Sequence, residues 1–312
     1  MKRPIVFLIS LYAASLIPIV SVPILMSLKS PATVSVIETF QFVAGYCHVG
    51  LTPFFYTESN LKDFFQKNAT IYFWLPLAIL AGTGLLFAFL PGSIVQNLLI
   101  PYFIWQTWHY QRQNFGVLSF VASLTKSGKV TSEERQLLNW GVIAGILGFF
   151  KLQFVGQQTL LQNQFDLLYQ AGGLMMIGIV AFFIYTLFKH RNIIASPVRL
   201  SFLFITTFFY LPTFLFPDAN SGVASYVFAH GMQYFVFMSF VAQGEVLIKP
   251  LIKLFSIAAI VTLLYLCAGT KVLFGLVPGA AMAHFVVDGH LWKMSQPFQR
   301  AYLKRSFDFI FQ

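Results

Sequence analysis

Charge is scarce in this chain. Lys and Arg number 20 and Asp and Glu 10, together 10% of 312 residues, against 57% hydrophobic residues. Soluble domains carry about 25% charged residues. The composition therefore excludes a water-facing globule and leaves a polytopic membrane protein. Cysteine is nearly missing too. Cys47 and Cys267 fall in apolar stretches without metal-ligand spacing, which excludes a disulfide framework and thiolate zinc motifs. Glycine-rich phosphate loops and nucleophile elbows do not occur. No long linker, low-complexity segment or internal repeat interrupts the chain, and the longest polar loop, Thr125–Gln136, is short. Residues 1–312 read as a single transmembrane domain. A cleavable signal peptide is not expected, because Met1-Lys2-Arg3 precedes an apolar run, Ile5 to Leu28, that is too long for one.

What remains is apolar sequence in membrane-length runs. A helix needs about 20 apolar residues to cross a bilayer. The expected fold is all-α, a helix bundle with about ten transmembrane helices. They lie roughly at 5–28, 33–57, 70–90, 93–124, 137–160, 165–188, 199–216, 222–248, 251–268 and 276–293. The fourth is overlong, and the last is short and polar. Prolines 18, 23, 53, 76, 101, 212 and 278 are expected to kink or end helices. Only Lys29 and Lys271 fall in loops on the far side, while Arg112 and Lys151 lie within or near spans. The other basic residues, Arg199 and His190's neighbours Lys189 and Arg191 among them, share the side of both termini. That asymmetry puts both termini in the cytoplasm and assigns the net charge of +10 to orientation and anionic-lipid contact rather than nucleic acid. The expected setting is a cell membrane of the bacterial inner-membrane kind. The Asn68-Ala69-Thr70 sequon would be cytoplasmic and unused. Most of the 37 Phe are read as lipid-facing, the rest as a lining for an apolar substrate.

Against this background the histidines stand out. Five of six, His48, His109, His230, His284 and His290, lie in spans, all on the even-numbered ones. With cytoplasmic termini these helices run in the same direction. Ionisable groups at such depth mark functional sites. His48 sits in Gly45-Tyr46-Cys47-His48-Val49-Gly50, where glycines allow close helix approach. A ligand and a histidine bonded to a neighbouring carbonyl are equally compatible with it. His109 lies in the most polar stretch of any span, with Gln106 and Gln113 on its face and Arg112 one turn on. The alternative is that this span ends near residue 108 in an interfacial aromatic belt. His230 shares a face with Tyr226, Gln233 and Tyr234, either as an oriented ligand or in a polar helix seam. His284 and Asp288 are i, i+4 and face the same way, so Asp288 can share a metal or fix the imidazole tautomer. His290 is read as interfacial, beside Trp292 and Lys293. Lys151 and Asp166 are positioned to pair. Glu38, Gln153 and Glu245 are the remaining polar residues within spans, and His190 reads as solvated.

Imidazoles with one carboxylate and no paired Cys favour Fe, Zn or Cu. The histidine clusters of membrane desaturases are missing. The layout resembles instead the Brp/Blh carotene-cleaving dioxygenases, small helical membrane proteins with single histidines from separate helices around one iron. Their first histidine follows a Gly-x-x-His pattern, as in Gly45-Tyr46-Cys47-His48. The resemblance implies His48, His109, His230 and His284 as ligands of Fe(II), with Zn or Cu as alternatives. It implies Asp288, Gln113 and Tyr234 as groups that orient ligands or face a hydrophobic substrate such as a carotenoid, isoprenoid or lipid. The expectation is a non-haem metal oxygenase. The competing readings are a proton- or ion-coupled transporter, in which His109, Arg112, Asp288 and Glu38 form the path, and bis-histidine haem ligation.

Overall fold

A computed structural model of the chain describes residues 3–27, 35, 45, 47–151, 162–216, 218–243, 249–266 and 271–311. Among the described residues every regular element is helical. In chain order these are α1 (Arg3–Ser27), a 3-10 turn (Thr52–Thr57), α2 (Ser59–Lys67) and a π turn (Thr70–Trp74) that runs into α3 (Leu75–Phe89). There follow α4 (Gly92–Leu124), α5 (Ser132–Phe149), α6 (Gln162–Lys189), α7 (Pro197–Thr207) and α8 (Ala219–Gln243). The chain closes with α9 (Lys249–Leu266), α10 (Lys271–Leu291) and α11 (Pro297–Ser306). Much of the second expected span, and Glu38, Gln153 and Glu245, lie outside the described residues.

Among the described residues, three helical stretches are long and apolar enough to cross a membrane: Arg3–Ser27, Thr70–Phe89 and Asn163–Lys189. Their outward faces are apolar. Leu174 and Ile177 are 70% and 68% exposed, and Ile17 is 60% exposed. Polar side chains such as Gln111, Asn114, Thr206 and Gln233 are buried instead. This inversion of the soluble pattern is stable only where the surroundings are hydrocarbon, since unsatisfied polar groups there cost several kcal/mol each.

Pro18, Pro23, Pro101 and Pro278 lie inside continuous helices and end none of them. Pro76 and Pro212 stand at helix starts, where the missing N–H has no intrahelical role. The chain breaks between α4 and α5 by left-handed backbone at Lys126 (φ 52°) and Gly128 (φ 94°). It restarts on a capping box: Thr131 accepts from the Glu134 N–H, and the Glu134 carboxylate accepts from the Thr131 N–H at 2.6 Å.

By internal contact the chain divides into two compact units. One comprises Met1–Gln41, Thr107–Gln233 and Phe309–Gln312. Its elements close on small residues. A Cβ on Gly145 would come within 2.5 Å of the Tyr210 ring, and one on Gly222 within 2.5 Å of the Thr213 backbone. Arg199, counted in the sequence among the loop cations, is fully buried. It donates to both Glu134 carboxylate oxygens (2.9 and 2.6 Å) and to the Lys129 carbonyl (2.9 Å). The fork geometry of guanidinium makes this two-bond pairing possible. His190, expected to be solvated, lies with its Nε2 3.0 Å from Glu133. Lys151 and Asp166 pair at 3.0 Å, as their positions predicted.

The other unit comprises Phe42–Gln106 and Tyr234–Asp308. Here α10 packs on α3 through glycine. A Cβ on Gly275 would meet Phe87 at 2.6 Å, and one on Gly279 would clash with Thr83 Oγ1. Phe64 of α2 stacks on Phe298 near the start of α11, with centroids 4.0 Å apart.

Candidate metal centre

His109 and His230 form one pair. His109 projects from α4 and His230 from α8, with ring centroids 5.1 Å apart. The helix does not end near residue 108, as the interfacial alternative requires. It continues to Leu124, with Gln111 and Asn114 buried. Those amides belong to a continuous hydrogen-bond network. Gln111 donates to the Leu138 carbonyl (2.7 Å), and Asn114 donates to Gln111 (3.1 Å). Gln233 donates to Ser15 (3.0 Å). Gln113 donates to the His230 carbonyl (3.0 Å) and to the Gln233 side chain (2.9 Å). The network fixes the register of α8 against α4, and so the position of His230. Tyr110 lies against the His230 ring, centroid to centroid at 4.0 Å, and restricts its rotation.

His48 and His284 form the other pair, edge to face at 4.5 Å. His48 stands on the helical residues 47–50 just before the 3-10 turn. His284 is on α10. Its Nδ1 is 2.5 Å from Thr52 Oγ1 and 3.5 Å from Asp288 Oδ1. A proton on Nδ1 suits both oxygens and directs Nε2 away as the ligand atom. Tyr234 donates to Asp288 at 2.9 Å. Asp288 thus lies between Tyr234, which donates to it, and the His284 ring, 3.5 Å away.

All four of these histidines offer a ring nitrogen, and the four nitrogens lie within 4.8 Å of one another. Ligands about 2.0–2.1 Å from a common metal sit about 3–4 Å apart, a spacing of the same order. His48, His230 and His284 are buried and His109 is partly so. The set fits a metal chemically as well: imidazole nitrogen suits Fe, Cu and Zn, and no sulfur competes. Cys47, next to His48 in sequence, has its Sγ 2.9 Å from Thr262 Oγ1 instead. The group can hold a metal ion.

The other expected site residues separate. Asp288 and Tyr234 flank His48 and His284, and Gln113 reaches His230 through its backbone. Arg112 is exposed on α4. His290 is not in the four-membered group, and its Nδ1 lies 2.9 Å from the Val286 carbonyl. Thr52 and Tyr110 were not legible as site residues, because nothing in their local sequence marks them. No protein-family model matches the chain, and no curated protein or solved structure is significantly similar to it.

Proposed function

We propose that the protein is an integral membrane non-haem iron enzyme that oxidises a hydrophobic substrate at a four-histidine centre. The observation that carries this reading is the convergence of four imidazole nitrogens within 4.8 Å, without a thiolate. Held by these four imidazoles, Fe(II) would supply oxygen chemistry, whereas a haem would need only two of them. The surroundings support an apolar substrate. The helices expose aliphatic residues over most of their length, so a molecule dissolved in lipid meets the protein without crossing water. Exclusion of water also protects reactive intermediates.

The residues around the centre have distinct roles. Thr52 and Asp288 hold the His284 proton on Nδ1 and direct Nε2 inward. Gln113 and Tyr110 fix His230. Arg112, exposed, contributes to anchoring. The bundle comprises about ten spans with both termini cytoplasmic. The loop charges and the three most apolar helices support this arrangement.

The test is metal analysis of the purified protein. Close to one iron per chain is expected, lost in His48→Ala, His109→Ala, His230→Ala and His284→Ala and retained in His290→Ala. Metal-free protein that moves protons across vesicles would favour the transporter and remove the enzyme reading.

A further inference from the structure

We infer that Tyr234 is a redox-active tyrosine that supplies one electron to the four-histidine centre and its phenolic proton to Asp288. The inference rests on the reading of that centre as an iron site.

Tyr234 is the phenol that joins both halves of what such a step needs. It is 2% exposed. Its ring meets His48 edge-on at 4.8 Å and His284 at 5.2 Å, so it touches two of the four imidazoles. Its hydroxyl donates to Asp288 at 2.9 Å, and Asp288 is itself buried. Electron and proton therefore have separate, adjacent exits: the electron through the imidazole rings, the proton along the hydrogen bond.

Burial makes the second exit necessary. A phenol that loses only an electron becomes a cation, and an uncompensated charge in a low-dielectric interior costs several kcal/mol. Loss of the proton in the same event leaves a neutral radical. The step balances as follows. An oxidant of the peroxide class would take two electrons from the bound ferrous ion, its O–O bond breaking and its two oxygens ending at the level of hydroxide or water. The Tyr234 O–H bond breaks, its proton passes to Asp288 Oδ1, and its electron lowers the oxidised iron by one unit of charge. Asp288, which accepts from the Tyr234 hydroxyl and lies 3.5 Å from His284 Nδ1, keeps the phenol aligned. Trp292, ring to ring at 6.5 Å, lies next along the aromatic path.

The experiment uses the full chain in detergent, loaded with ferrous iron without air, assayed for iron, mixed with hydrogen peroxide and freeze-quenched for electron paramagnetic resonance. A tyrosyl signal is expected that narrows with ring-deuterated tyrosine. Tyr234→Phe should abolish it at unchanged iron content, while Tyr110→Phe, whose ring also lies against a site imidazole, should keep it. Asp288→Asn should lower the radical yield several-fold. Iron-loaded wild-type protein without a radical, or a radical that survives Tyr234→Phe, overturns the inference. Should Tyr234→Phe not fold, fluorotyrosine placed at position 234 alone answers the same question: fluorine splitting supports the assignment and its absence overturns it. A chain that takes up no iron instead removes the iron-site reading itself, a result distinct from iron without a radical.

Discussion

Thr52 Oγ1 lies 2.5 Å from His284 Nδ1. A threonine in no recognisable motif thus decides which nitrogen of the sharpest sequence-predicted ligand is presented to a metal. Groups that bond the far nitrogen of a ligand imidazole are worth about 10- to 100-fold in metal affinity. Thr52→Val is expected to weaken iron binding by that factor in a metal titration, and Thr52→Ser to restore it. Equal affinities for Val and wild type would show that Asp288 alone orients the ring.

Metal occupancy should stabilise the fold. A ligand bound only by the native state adds about 2.7 kcal/mol at a hundred times its Kd. Unfolding in detergent should move to higher temperature with added iron and return with chelator. The His48→Ala and His230→Ala variants should show no such shift.

Arg199 and Glu134 are both fully buried and joined by two hydrogen bonds. Removing one partner of a buried pair costs about 3–5 kcal/mol, because the other charge is left uncompensated. Arg199→Met should destabilise by about that amount. The double variant Arg199→Met/Glu134→Leu should recover much of the loss. If the single and double variants unfold alike, the pair does not carry the stability assigned to it.

Close helix approach should be readable in glycine substitutions. The Gly222 Cβ position lies 2.5 Å from backbone atoms of Thr213, whereas that of Gly178 meets nothing within 4 Å. Overpacking costs about 1–3 kcal/mol, so Gly222→Ala should lower the unfolding midpoint. Gly178→Ala, in the middle of α6, should be neutral or gain up to about 1 kcal/mol in helix propensity.

Glu133 gives a pH signature. Its hydrogen bond from Lys189, with a further one from Ser132, lowers the carboxyl from an ordinary value of 4.5 to about 2. A depressed folded-state value means that the contribution is present above the unfolded value and fades as pH falls from about 4.5 towards 2. Glu133→Gln should therefore lower the unfolding temperature at neutral pH, and the difference from wild type should close over that acid range. A difference constant with pH would contradict the coupling.

Much of the helical fold was legible in the chain because hydrophobic runs of membrane length have few alternatives. The histidine set was legible because imidazole is costly in hydrocarbon and polar company marks where that cost is met. His284 and Asp288 illustrate this: i, i+4 spacing brings them to 3.5 Å. The failures have a common cause. Arg199 read as a loop cation because local sequence cannot reveal Glu134, 65 positions away. His190 read as solvated for the same reason, its partner being Glu133. Of the two outcomes expected at Pro101 and Pro278, a kink or an end, neither helix ends there, because helices in lipid retain their internal hydrogen bonds and neighbouring groups satisfy those that proline removes.

The sequence by itself determined the all-helical, lipid-compatible character of the protein and singled out the histidines, since both follow from the transfer energies of side chains and need no partner. Tertiary structure alone decided that His48, His109, His230 and His284 bring their nitrogens within 4.8 Å while His290 stays apart. It also decided that Thr52 and Tyr110 join them. Within each pair the ring positions depend on hydrogen bonds between residues far apart in the chain, His230 on Gln113 and His284 on Thr52, and local composition does not encode those.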